Sequence, residues 1–264
     1  MNKSTPQHPD TLYLVSTGDD SERLERMEAG FRDVLEPYAT VNPMRLGQVD
    51  SLRVAYHNAA RMIPSRDSLM LFVHQDIVPA TLETINGLPA QLQAPLKTWI
   101  EPTPQGPAWW VILRKLASQP DFGFAGVAGS CEMTPGRGWW QHEKLSGMVL
   151  HRRPEGLRVN AYGGWSRVLV VDGLLMAARA GTVRDIPPRS GDPDHFHFYD
   201  MDFCLSAHNA GLKNWTLPLL VLHDSGGASA SDSKWQTDME WFLQKHHDRE
   251  TISVPDEPLP GMAV

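Results

Sequence analysis

Two cysteines, Cys131 and Cys204, are the only thiols in this 264-residue chain. They lie far apart and no Cys-x-x-Cys pair occurs, which excludes a zinc ribbon, a thioredoxin-type redox site and a disulfide scaffold. Basic charge is also scarce: 24 Lys and Arg face 31 Asp and Glu, for a net charge of −7. Nucleic-acid binders usually carry a basic excess, so no nucleic-acid partner is expected. The most apolar stretch, residues 168–178, is interrupted by Asp172 and falls short of the ~20 residues a membrane helix needs. The opening residues, MNKSTPQHPD, are polar, and no signal peptide is read there. A soluble, cytoplasmic protein is expected, with attachment to a membrane surface left open. Three motifs are missing as well: Gly-x-x-x-x-Gly-Lys-Ser/Thr, Gly-x-Ser-x-Gly, and a Gly-x-Gly-x-x-Gly opening the first helix. Their absence weighs against P-loop enzymes, α/β-hydrolases and typical dinucleotide oxidoreductases.

What is present is an ordinary globular composition, 41% hydrophobic and 21% charged. Residues 12–17 (LYLVST) read as a buried strand, with a turn at Gly18–Asp20. Ser21 opens a helical pattern that Pro37 ends, and a second helix over 52–62 stops before Pro64. Residues 69–73 (LMLFV) are continuously apolar, as a strand covered on both faces should be. Strand, helix, strand, helix, strand predicts parallel crossover units. Ligand sites of such open sheets lie beyond the carboxyl ends of the strands, which places Asp19 and Asp76 on one rim. Five prolines between 89 and 107 suggest a surface connection. Later come a helix over 109–116, a strand over 122–128, a loop over 129–147, and a strand over 168–176 broken at Asp172-Gly173. A helix runs from Asp200 to about 210 with Gly211 after it, followed by a strand over 217–222 and an amphipathic helix from Trp235 to His246. One domain over 1–249 and a disordered tail over 250–264 are expected.

Four constellations could carry chemistry. Asp76, after a buried strand, could hold a divalent cation that also binds phosphates or could simply cap the next turn. Asp192, Asp194, His195, His197, Asp200 and Asp202 crowd into eleven residues. His195, His197 and Asp200 could bind iron or zinc. Alternatively Asp200, at a helix start, could take a proton from a substrate hydroxyl; an Asp N-cap is the plain reading. His223 follows another apolar strand and is either a ligand or a hydrogen-bonded structural residue. Trp139-Trp140, in a glycine-bounded loop, suit a sugar platform, an interface or simple packing.

In order, AYHNAA (55–60), LFVHQDI (71–77), FGFAGVAGS (122–130), GWW (138–140), VVDGLLMAAR (170–179), FHFYDMDFCLSAHNAGL (196–212) and VLHDSGG (221–227) resemble the bacterial glycosyltransferase-like branch of the family-2 nucleotide-sugar transferases. The resemblance runs from about residue 12 to residue 245. It implies a single GT-A (Rossmann-like) α/β domain, with a mostly parallel central sheet flanked by helices. It also implies transfer of a sugar from a nucleotide-diphosphate sugar, with Mn²⁺ or Mg²⁺, to a glycan, lipid-linked or protein acceptor. Asp76 takes the last acidic position of the metal motif, and His74 stands where the first aspartate is usual; with His223 they form the implied metal set. Asp200 takes the base position, with Tyr199 in place of the usual glutamate. Thr17 and Asp19 correspond to the nucleotide loop, and Tyr56, Asn58 and Asp76 join that donor set. Trp139, Trp140, Asp172, Gly173 and His197 fall on the acceptor side. The implied reaction is inverting. The Gln/Arg-x-x-Arg-Trp signature of processive synthases is absent. The departures at His74 and Tyr199 also raise a non-catalytic sugar- or nucleotide-binding protein of the same fold.

Overall fold

Continuous apolar runs become central strands because both of their faces must be covered. The computed structural model describes residues 10–134, 136–188, 196–224, 233–246 and 250–260. In chain order the elements are β1 (Asp10–Thr17), α1 (Ser21–Leu35), β2 (Ala39–Arg45), α2 (Leu52–Met62), β3 (Leu69–His74), β4 (Ile77–Pro79), α3 (Leu82–Asn86), α4 (Ala90–Ile100) and α5 (Ala108–Ala117). Then follow β5 (Phe122–Gly126), β6 (Ala128–Ser130), β7 (Glu132–Met133), β8 (Leu145–Arg153), β9 (Gly156–Gly163), β10 (Arg167–Val168), β11 (Val170–Val171) and β12 (Leu175–Arg179). The last are α6 (Ala180–Asp185), α7 (Tyr199–Asn209), β13 (Lys213–Thr216), β14 (Val221–His223), α8 (Ser233–His246) and β15 (Ile252–Ser253).

The larger sheet has the order β10-β13-β5-β12-β3-β1-β2. β1 pairs in parallel with both β2 and β3, and β13 pairs in parallel with β5. β12 is inserted antiparallel between β3 and β5. The expected class, α/β with most strands of the central sheet running one way, is what forms. Asp20 caps α1 by accepting from the Arg23 amide, one residue earlier than Ser21 would. Met27, Phe31 and Leu35 of α1 are buried at helical spacing against the sheet.

A second sheet, β11-β6-β8-β14-β4 with β9 on β8, branches from the first. The chain passes from β3 of one sheet to β4 of the other through Gln75 and Asp76 alone. In the second sheet, alternation separates two faces. Leu150 and Leu222 join Ile85 and Leu96 of α3 and α4 in a small apolar cluster, with Met148, Leu157 and Val159 packed on it. Val149, His151, Arg153, Asn160 and His223 point the other way, into a cleft.

Three sequence expectations are corrected. The proline-rich connection contains helix α4, with Pro95 inside it. The carbonyl Pro95 cannot serve belongs to Gln91, which is exposed, while Leu92, Leu96 and Trp99 face the small cluster. The loop expected over 129–147 and the unassigned stretch after it hold β6, β7 and the β8–β9 hairpin. The tail is ordered over 250–260: β15 pairs with β7, and Val254 and Leu259 are buried. Its apolar residues find a groove that composition alone does not reveal. Among the described residues, no helix is long and apolar enough to cross a membrane.

Candidate active site

The Gln75-Asp76 turn and the start of α7 meet at a cleft of about 420 Å³. Asp76, His223 and Asp200 line it together, although far apart in sequence. So do His74, Trp139, Trp140, Asp172, Gly173 and His197. Thr17, Asp19, Tyr56 and Asn58 do not. Thr17 is buried and pairs with His74 in the β1–β3 ladder. Asp19 is exposed and accepts from Gln48 at 2.6 Å. Tyr56 is fully buried and stacks on Phe72, with ring centroids 4.2 Å apart. Asn58 is exposed on α2. The first-strand loop still abuts the Asp76 turn, because the Asp20 amide donates to Gln75 at 3.1 Å. His195 lies outside the described residues.

Asp200 is placed by an unusual helix start. Phe198, before α7, has φ 62°, a left-handed conformation that a bulky residue rarely adopts. It is held from the α8 side: its ring stacks on Phe242, and Asp238 accepts the amides of Phe196 and His197 at 3.1 and 2.9 Å. No side chain caps α7, so neither Asp200 nor Asp202 is its N-cap. Instead the Asp200 carboxylate accepts the Gly173 amide at 2.8 Å and the Met201 amide at 2.8 Å. Burial, then the charge of Asp172, raise the Asp200 carboxyl to about 7, against these two amides. Burial raises the Asp172 carboxyl as well. Asp200 is thus a carboxyl poised near neutrality at the wall of a cleft, the condition a general base needs.

Asp202, two residues on, points away from the cleft. It is fully buried and pairs with Arg53 at 2.5 Å, Lys245 at 3.0 Å and His246 at 3.2 Å. Burial opposes its charge, but His246, Arg53 and Lys245 outweigh it and hold the carboxyl at about 2. It ties α2 and α8 to the underside of α7.

Tyr199 donates its hydroxyl proton to the Gly173 carbonyl at 2.6 Å, so His74 Nε2, 3.2 Å from the same hydroxyl, is the donor to it. Only the other His74 nitrogen is left for a ligand. Asp76 Oδ2 lies 3.4 Å from His223 Nε2, brought there by the antiparallel pairing of β14 with β4. Burial works against the Asp76 carboxylate, yet His223 keeps it below the usual range. Among the described residues, no group of three or more His, Cys, Asp or Glu side chains is gathered to hold a metal ion. Asp76 and His223 do fit a cation that takes its remaining ligands from phosphate oxygens, as magnesium-type ions commonly do. The buried and unpartnered Nδ1 of His223 is consistent with an occupant nearby.

Sequence reading missed the β8–β9 hairpin, which brings His151, Arg153, Asn160 and Tyr162 to the cleft, and Trp235 of α8. The hairpin's signal was there: alternating residues on both sides of Pro154-Glu155-Gly156. Burial, then His223 and Arg153, lower the His151 imidazole to about 4.

The profile of a glycosyltransferase-like family matches residues 109–246, just over half of the chain. The chain belongs to this family. The matched span of this family member includes Trp139, Trp140, Asp172, Gly173, Asp200 and His223, and it stops short of Asp76 on the N-terminal side. No curated protein matches the chain. Among solved structures, Drosophila β1,4-galactosyltransferase 7 with manganese, UDP-Gal and xylobiose is 11% identical, with a TM-score of 0.42 over 78% of this chain and 64% of that one. GalNAc-T7 with UDP, GalNAc and Mn²⁺ is 9% identical, with a TM-score of 0.48 over 89% of this chain and 48% of that one. The protein A197 from STIV is 10% identical, with a TM-score of 0.38 over 84% of this chain and 98% of that one. The glycosyltransferase-like chain therefore spans less than two thirds of the first two. At this distance the likeness assigns no residue a role.

Proposed function

We propose that this glycosyltransferase-like chain transfers a sugar from a nucleotide-diphosphate sugar to an acceptor hydroxyl, one sugar per encounter. The observation that carries the reading is the convergence of Asp76, His223 and Asp200 on one cleft, with the Asp200 carboxyl raised to about 7. Transfer needs a place for a leaving diphosphate and a base for the attacking hydroxyl, a few ångströms apart in one cavity.

Asp76 and His223 form the diphosphate end. They would hold Mn²⁺ or Mg²⁺, and such an ion offsets charge on the leaving group. Asp200 forms the other end: its two amide donors fix the carboxylate, which removes the acceptor's proton as the oxygen attacks. Attack opposite the departing diphosphate inverts the anomeric carbon. Trp139, Trp140, Tyr162 and Trp235 line the acceptor side with aromatic faces suited to a sugar ring. The acceptor is a glycan, a lipid-linked sugar or a protein.

The test is calorimetric titration of nucleoside diphosphates, with and without Mn²⁺, into the wild type and Asp76→Ala. The wild type should bind at least one of them more tightly with Mn²⁺, and Asp76→Ala should lose that gain while melting normally. Unchanged affinity in the variant removes Asp76 from the donor site.

A further inference from the structure

β8 carries two side chains that the reading above does not use. Residues 149, 151 and 153 face the cleft, while Met148 and Leu150 turn to the small apolar cluster. His151 is the parallel ladder neighbour of His223, and the two rings lie 5.3 Å apart. Both ring nitrogens of His151 are buried without a hydrogen-bond partner. Buried polar atoms are nearly always satisfied, so these nitrogens point to an occupant that supplies an acceptor. Arg153 lies one step along the same face and is the only Lys or Arg among the described residues lining the cleft. Its neighbour Arg152 is engaged by Asp224 at 3.0 Å; no described carboxylate engages Arg153.

An acidic cleft holding Asp76, Asp172 and Asp200 would repel a diphosphate unless cationic and N–H donors faced it. A guanidinium fork suits that role, because it matches phosphate oxygens in a bidentate way. We propose that His151 and Arg153 are direct ligands of the donor's diphosphate, on the strand beside His223. This rests on the donor reading above and adds to it a protein wall that contacts phosphate without the metal.

The experiment is calorimetry in EDTA buffer with three probes: the best-binding of UDP, GDP, ADP and dTDP, its parent nucleoside, and inorganic pyrophosphate. Arg153→Ala should weaken the nucleoside diphosphate and pyrophosphate about tenfold or more, the usual scale for a hydrogen bond to a charged group. The parent nucleoside should bind as it does to wild type. His151→Gln should weaken the two phosphate probes by a smaller factor. Arg153→Lys keeps the charge, replaces Arg153→Ala should that variant fail to fold, and should lose severalfold. Equal affinity of wild type and variants for the nucleoside diphosphate overturns the inference and leaves the donor reading standing. If no nucleoside diphosphate binds the wild type in EDTA, pyrophosphate alone decides, and the donor reading fails only if Mn²⁺ does not restore binding. Pyrophosphate binding that is weakened in Arg153→Ala keeps the anion site, and binding that is absent or unweakened overturns it.

Discussion

The Asp200 carboxylate accepts the Gly173 backbone amide at 2.8 Å, while Tyr199, next to Asp200, donates to the Gly173 carbonyl at 2.6 Å. One peptide segment thus clamps two consecutive residues of α7 through its donor and its acceptor. It fixes one oxygen of the proposed base, and the Met201 amide holds the other.

Asp200→Asn nearly keeps the shape and removes the base. General-base catalysis contributes about 10²–10⁴-fold, so transfer should fall at least about a hundredfold. Nucleoside-diphosphate affinity should stay near wild type, and stability should fall by about 1–3 kcal/mol, because the Asn nitrogen cannot accept one of the two backbone amides. A turnover assay paired with calorimetry checks both; retained turnover would remove Asp200 from the reaction.

The pH profile follows from the same carboxyl. The basic form is available only above about 7, so kcat/KM should rise through neutrality. Asp172→Asn deletes the neighbouring charge that helps raise Asp200 and should move the acid limb to lower pH. Stability moves oppositely. A carboxyl raised in the folded state stabilises fully below its ordinary value of 3.8, and that contribution is lost as pH rises through about 7. Asp200→Asn should flatten this part of the curve of unfolding free energy against pH.

A Cβ at Gly173 would stand 2.5 Å from the Tyr199 hydroxyl oxygen and 3.0 Å from Asp200 Cβ. Gly173→Ala must therefore push α7's first turn away. The expected result is a fall in kcat with little change in donor affinity. Unaltered kcat would show that the clamp does not set the base.

Asp202→Asn should cost stability first. Removing one partner of a buried charge cluster typically costs about 3–5 kcal/mol, here leaving Arg53, Lys245 and His246 facing one another. The wild-type contribution, held by a carboxyl near 2, is present above the ordinary carboxylate value and is lost as pH falls toward 2. Denaturant unfolding at several pH values measures both. A variant as stable as wild type would contradict the cluster's role.

The two tryptophans should separate. Trp139 is 4% exposed and packs on Tyr162, whereas Trp140 is 47% exposed. Trp139→Ala should destabilise by about 3–5 kcal/mol, the usual cost of emptying a buried aromatic site. Trp140→Ala should leave melting unchanged and raise the acceptor's KM, with kcat nearly constant. A Trp140→Ala enzyme with wild-type acceptor kinetics would place the acceptor elsewhere.

Much of the fold was legible because apolar periodicity is local. The run LMLFV could only be a covered strand, and Gly211 adopts φ 81° after α7, as a helix-ending glycine does. The family likewise showed in ordered short motifs. The prolines of α4 and of the tail misled, because composition records propensity and not the groove that Leu96 or Leu259 fills.

The sequence by itself determined the α/β class, the lack of any Cys-x-x-Cys pair, and which residue types were available as base and ligands. Only the tertiary structure separated the surroundings of Asp200 from those of Asp202. Their side chains leave the helix about 200° apart, and what each meets, an open cleft or Arg53, Lys245 and His246, is set by strands and helices distant in sequence. It alone gathered Asp76 with His223, through the β4–β14 pairing, and brought His151 and Arg153 to the same wall. Strand pairing joins residues by register across the sheet, and register is settled by global packing rather than by any local run of residues.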